Sequence, residues 1–282
     1  METEKRKRQK REGIALIALC VVAAVLLGIT LWMIRGNNQD QPEPSEVPSS
    51  QDQPSGEGVS SDTQGPSPSP EPEPEPFDPF PQESAAVEDS YFDDAVFIGN
   101  SLTEGMELFG ELPNATYYAS TGISVNQILT KGIVDGQTVP QALASHSFGK
   151  VYVMLGINEA GMDQETFRQR YTELIDTICQ TQPQAVVYIQ SILPVTAKRD
   201  ARGDNINNAN VAALNGILRE IAQEQEVYYL DVASAIDGGT GVLPAEVGGD
   251  GVHLSKKYYL VWKEYLKTHT AQPVEQEQSP SA

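Results

Sequence analysis

The sequence predicts an α/β fold in which one parallel β-sheet is sandwiched between helices. Three observations point there. Five short runs are rich in β-branched and aromatic residues, amphipathic stretches of helical period lie between them, and Gly, Asn or Ser marks the ends of the first three runs. The pattern occupies residues 91–270 of a chain of 282.

The runs are AVFIG (Ala95 to Gly99), TYYAS (Thr116 to Ser120), VYVMLG (Val151 to Gly156), VVYIQSI (Val186 to Ile192) and VYYLDV (Val227 to Val232). Most are continuously apolar instead of alternating, as expected of parallel strands covered on both faces. SLTEGMELF after the first run can begin a helix. In DQETFRQRYTELIDTICQ the residues Phe167, Tyr171, Leu174, Ile175 and Ile178 share one helical face, with Asp163 placed to cap the start. NANVAALNGILREIAQEQ carries the stripe Val211, Leu214, Leu218 and Ile221, and SKKYYLVWKEYLKTH, from Ser255, sets Tyr259, Trp262 and Leu266 on one side. Such alternation places a functional site at the C-terminal ends of the strands. There is no phosphate loop and no G-x-G-x-x-G, and GGTG (Gly238 to Gly241) lies in a loop.

Ahead of this domain the composition changes twice. Residues 13–34 carry no charge and as a helix would cover roughly 33 Å, enough to cross a bilayer. A basic tail, residues 1–12, precedes them, and only Arg35 follows closely, so the expected topology is a single-pass plasma-membrane anchor with a cytoplasmic N-terminus and an extracellular domain. No A-x-A-like cleavage site follows Ile34, which favours retention over a removed signal peptide. Residues 35–90 read as a disordered linker: from Gly36 to Ser90 there is no Lys or Arg, and PSPSPEPEPEP is of low complexity. Its flexible reach would be about 40 Å. Residues 271–282 read as a disordered tail.

The formal net charge of −20 argues against nucleic acid as a partner, since phosphate backbones demand Lys and Arg clusters. With two cysteines, Cys20 inside the apolar run and Cys179 on a helix, and three histidines, neither an intrachain disulfide nor a structural zinc site is expected.

The strand ends hold the chemistry-bearing residues. Ser101 follows the first strand at the start of a helix, where it is either a nucleophile or a helix cap. Gly122, after the second strand, and Asn158, after the third, could donate N–H groups to an oxyanion together with the Ser101 N–H, or they could serve as turn and loop residues. In DGVHLS, Asp250 can turn back to His253 through Gly251 and hold the ring ready to take a proton from Ser101. His146 and His269 are competing bases. The first precedes the third strand, at the wrong end of the sheet, and the second ends the last helix.

The ordered set Gly99-Asn100-Ser101-Leu102, Gly122, Gly156-Ile157-Asn158-Glu159 and Asp250-Gly251-Val252-His253 resembles the SGNH (GDSL-type) hydrolase family. The resemblance implies a three-layer α/β/α sandwich with a five-stranded, flavodoxin-like parallel sheet. It also implies Ser101 as nucleophile, His253 as general base and acid, Asp250 as its orienting partner, and Ser101 N–H, Gly122 N–H and the Asn158 amide as oxyanion donors. Two positions depart from the family pattern, Asn100 and Glu159, where aspartates are usual.

The function expected is that of an extracellular serine esterase removing small O-acyl groups, acetyl above all, from carbohydrate or cell-wall glycan, with no metal or cofactor. The same acyl-enzyme could instead pass its group to a glycan hydroxyl. A non-catalytic glycan-binding module is the third reading.

Overall fold

A computed structural model of the protein describes residues 77–271. The basic tail, the stretch 13–34, the linker up to residue 76 and the chain beyond 271 lie outside the described residues. No helix among the described residues is long and apolar enough to cross a membrane.

Five strands, β1 (Ala95–Gly99), β2 (Thr116–Ala119), β3 (Lys150–Met154), β4 (Val186–Gln190) and β5 (Tyr228–Leu230), form one sheet in the order β2-β1-β3-β4-β5. Every neighbouring pair is parallel. This is the flavodoxin-like order, and the chain reverses direction across the sheet at β1 and β3.

The connecting helices are α1 (Ser101–Phe109), α2 (Val125–Ile128), α3 (Val139–Ala144), α4 (Gln164–Thr181), α5 (Ala197–Asp200), α6 (Asn208–Glu224), α7 (Val232–Asp237) and α8 (Lys256–Thr268). Strand residues alternate between two cores, as the two-residue period of a strand requires. Val96, Ile98, Val151 and Val153 face α2, α3, α4 and α6, whereas Phe97, Tyr152, Met154 and Tyr188 face α1, α7 and α8. The result is three layers.

The expected helical stripes are the buried faces: Phe167, Tyr171, Leu174, Ile175 and Ile178 of α4, and Tyr259, Trp262 and Leu266 of α8. Asp163 does cap α4, accepting from the Thr166 N–H at 2.9 Å. The four shortest helices, α2, α3, α5 and α7, carry too few residues to show a period. Side-chain caps at Thr138, Thr196 and Asp231 start three of them.

One ring from each strand lines the second core in register: Tyr117, Phe97, Tyr152, Tyr188 and Tyr228. Phe97 stacks on Tyr152 at 4.7 Å between centroids and Tyr152 on Tyr188 at 4.6 Å. Each such pair contributes about 0.5–1.5 kcal/mol beyond the area it buries.

The folded body begins earlier than the composition suggests. Residues 77–90, assigned to the linker, are held on the domain: Phe77 packs on Tyr228 at 5.2 Å, Pro79 O accepts from the Tyr229 N–H, and Asp89 pairs with Lys263 and Lys267. Three apolar anchors, Phe77, Pro79 and Val87, outweigh the acidic, proline-rich context around them. This segment leads into the start of β1. The end of α8 lies beside it, with Thr268 O accepting from the Ser84 N–H and Lys267 O from the Val87 N–H.

Candidate active site

The first strand ends at Gly99, where a Cβ would stand 2.0 Å from Thr103 Oγ1 and 2.6 Å from Met154 O. Only glycine lets the strand turn this tightly into α1. The cap of α1 is Asn100: its Oδ1 accepts from the Leu102 N–H at 3.0 Å, while its carbonyl accepts from Thr103 and Glu104. That removes the alternative reading of Ser101 as the cap. The serine is the first residue of the helix, and its hydroxyl is left to make another bond.

That bond goes to His253, with Oγ and Nε2 2.8 Å apart. On the far side of the ring, Nδ1 lies 2.6 Å from Asp250 Oδ2. A carboxylate only accepts, so the ring proton sits on Nδ1, and Nε2 presents a lone pair to which the Ser101 hydroxyl donates. The other carboxylate oxygen, Oδ1, accepts from the Val252 and His253 N–H groups at 2.9 and 3.0 Å, which folds Asp250 back over the next three residues. Burial pushes the Asp250 carboxyl up, but the bonds from the His253 ring and the two backbone N–H groups outweigh it and hold the carboxyl well below the usual carboxylate range.

The loop carrying this pair is fixed from below. Gly251 has φ +81°, and a Cβ there would lie 2.3 Å from Thr196 Oγ1 and 2.8 Å from Arg199 Cβ. Gly251 O accepts from the Thr196 N–H at 3.0 Å. Thr196 ends a buried loop after β4 whose backbone would be costly to leave unpaired. Two asparagines satisfy it: Asn215 bridges Ile192 N and O, and Asn208 bridges Val195 N and O.

The remaining two candidates lie at the ends of the strands flanking β1. Gly122 turns the chain after β2 with φ +74° and is exposed. Asn158 is exposed in a short turn after β3, and its Nδ2 donates to Ile123 O at 2.8 Å. That bond uses one of the two amide hydrogens, joins Asn158 to the Gly122 loop, and leaves the other hydrogen to a ligand. The Ser120 N–H donates to Gly99 O, so the ends of β1 and β2 are adjoining. His146 and His269 lie elsewhere: the first bonds Ala142 O just before β3, and the second stacks on Tyr265 at 3.9 Å at the end of α8.

Residues 97–261, more than half of the chain, match the GDSL-like Lipase/Acylhydrolase family. The chain belongs to that family. Among solved structures, this acylhydrolase resembles a Streptococcus pneumoniae protein provisionally described as a platelet activating factor, with 18% identity, 64% of this chain and 89% of the other covered, and a TM-score of 0.51. It also resembles a Slackia heliotrinireducens protein provisionally described as an SGNH hydrolase (19% identity, 62% and 97% covered, TM-score 0.50). A carbohydrate acetylesterase from Sinorhizobium meliloti matches with 16% identity, 60% and 94% coverage and a TM-score of 0.47. At these identities the likeness is one of fold. A comparison with curated proteins finds no match.

Sequence reasoning did not foresee the part played by the residue after Asn158. Glu159 is almost wholly buried, and its Oε1 accepts from the Val125 N–H. Asn158 and Glu159 therefore grip the 122–125 loop at two successive points. Burial pushes the Glu159 carboxyl from an ordinary 4.5 up to about 7, with the Val125 N–H and further backbone N–H groups pulling the other way. Its second oxygen has no hydrogen-bond partner among the described residues. The only sequence signal was an acid directly after the loop asparagine.

Proposed function

We propose that this acylhydrolase is a serine esterase that removes small O-acyl groups, acetyl above all, from extracellular or cell-wall carbohydrate. The chain of hydrogen bonds from Ser101 through His253 to Asp250 carries the reading. In it, Ser101 Oγ attacks the ester carbonyl as Nε2 takes the hydroxyl proton, and Asp250 holds the charged ring that forms. The tetrahedral oxyanion is received by the N–H groups of Ser101 and Gly122 and the free amide hydrogen of Asn158. His253 then returns its proton to the leaving alcohol, and water resolves the acyl-enzyme by the same route reversed. No step calls for a cofactor.

The carbohydrate and extracellular parts of the proposal rest on sequence. A charge-free stretch at 13–34 preceded by a basic tail supports an anchor in the plasma membrane, and an acidic, proline-rich spacer supports a domain held outside it. An enzyme so placed meets glycans first. The test is hydrolysis of p-nitrophenyl acetate, followed by acetate release from O-acetylated glycan, with wild type against Ser101→Ala. Wild type should turn over both substrates, and the variant should lose at least a thousandfold in kcat with the fold intact. Equal turnover by the two proteins refutes the assignment of Ser101.

A further inference from the structure

Beside the Ser101–His253–Asp250 array, on the side of the β4–α5 loop, lies a cleft of about 320 Å³. Pockets that hold small ligands span roughly 300–1,000 Å³. Its walls include Gly249, Asp250 and Gly251 from the histidine loop and Lys198, Arg199 and Arg202 from α5 and the turn after it. Three cations in one cleft stand out in a chain whose net charge is −20.

Two of them are in no ion pair among the described residues, although Arg202 adds to the field of Arg199 at the Asp204 carboxylate. Arg199 is buried and pairs with Asp204 at 3.0 Å. Most other Lys and Arg of the described residues are likewise matched: Lys150 to Asp94, Arg168 to Glu220 and Glu224, Arg170 to Glu173, Arg219 to Asp231, Lys256 to Glu111, and Lys263 and Lys267 to Asp89. Lys198 and Arg202 are exposed and make no ion pair among the described residues. Against them the cleft wall presents one carboxylate, Asp250, which already accepts from the His253 ring and two backbone N–H groups. The balance favours an anion.

Position says which part of the substrate would carry it. His253 must hand its proton to the leaving oxygen, so the alcohol portion of the ester lies on the histidine side of the nucleophile. Asp250 and Gly251, which lie beyond the His253 ring from Ser101, form one wall of the cleft. We infer that Lys198 and Arg202 form a subsite for an anionic group, a carboxylate or a phosphate, borne by the sugar from which the acyl group is removed. This rests on the esterase reading for its place in catalysis, but as a binding site it stands on the cleft and its charges alone.

Two readouts separate the two claims. The first is kinetic: the full-length protein is given methyl O-acetyl-galacturonoside and the same compound with its carboxyl methylated, and O-acetyl-glucose 6-phosphate beside O-acetyl-glucose. Wild type should favour the anionic member of at least one pair by kcat/KM. The variant Lys198→Ala/Arg202→Ala should lose that preference by roughly tenfold, the scale of one charge-assisted hydrogen bond, chiefly through KM. Whichever pair shows the preference identifies the anion. The second is calorimetric binding of both anionic compounds to Ser101→Ala, with and without the Lys198 and Arg202 substitutions, which needs no turnover. Binding that vanishes with the two cations supports the subsite even if no ester is hydrolysed. Equal affinity with and without the cations, or no preference in either pair by an enzyme that hydrolyses p-nitrophenyl acetate, overturns it.

Discussion

Replacing Glu159 by Gln should change the pH dependence of stability in a direction set by its burial. The carboxyl is 2% exposed, and its value rises from 4.5 to about 7 on folding. Between those limits the native state holds a proton that the unfolded chain has already released. Stability therefore falls as pH rises from about 4.5 to 7 and stays at its lower level above that. At about 1.4 kcal/mol for each unit, the penalty at pH 8 is on the order of 3 kcal/mol. A glutamine keeps an oxygen for the Val125 N–H and cannot ionise, so it is free of the penalty. Any constant effect of the substitution cancels when the two proteins are compared at two pH values. Urea unfolding at pH 4.5 and pH 8 supplies the four free energies needed. The variant should gain about 3 kcal/mol on wild type between the first pH and the second. Parallel curves for the two proteins would show that Glu159 does not titrate in this window and would refute the argument from burial.

Other outcomes follow from the same geometry. Asn158→Ala removes both the proposed oxyanion donor and the bond to Ile123 O, and should raise the barrier by about 3 kcal/mol in kcat for p-nitrophenyl acetate, with KM little changed. Gly251→Ala forces a side chain into φ +81° and against Thr196, so it should lower the melting temperature by the equivalent of about 1–3 kcal/mol and disturb His253 with it. An unchanged melting temperature and unchanged turnover would show that the Thr196 support is dispensable.

How much of this could be read from the sequence depended on how far each signal extends along the chain. The strands were legible because each is a run of adjacent apolar residues buried on both faces, as in Val96, Phe97 and Ile98. The long helices were legible because α4 and α8 run for several turns with one wet side. Four-residue α2 and α5 offered no period to find. Ser101 could be singled out since it falls where a strand passes into a helix, and Asp250 and His253 since they stand three residues apart in the loop that leads into the last helix. The cap was harder. Asn100 and Ser101 are both good capping residues, and only the backbone decides which occupies the cap. Glu159 was illegible because an acid after a loop asparagine normally stays in water, and nothing local shows that the chain will cover it. Residues 77–90 were misread for the opposite reason: composition averaged over a window hid three anchors that matter singly.

The placement of both ends of the folded body has a practical consequence. Residue 77 and residue 271 lie at the pole where β1 starts and α8 finishes, and Ser101 occupies the other. A tag, fusion partner or immobilising support joined directly at residue 77 or residue 271 would sit at the pole away from Ser101, leaving the rim at the C-terminal end of β1 to a bulky polymeric substrate.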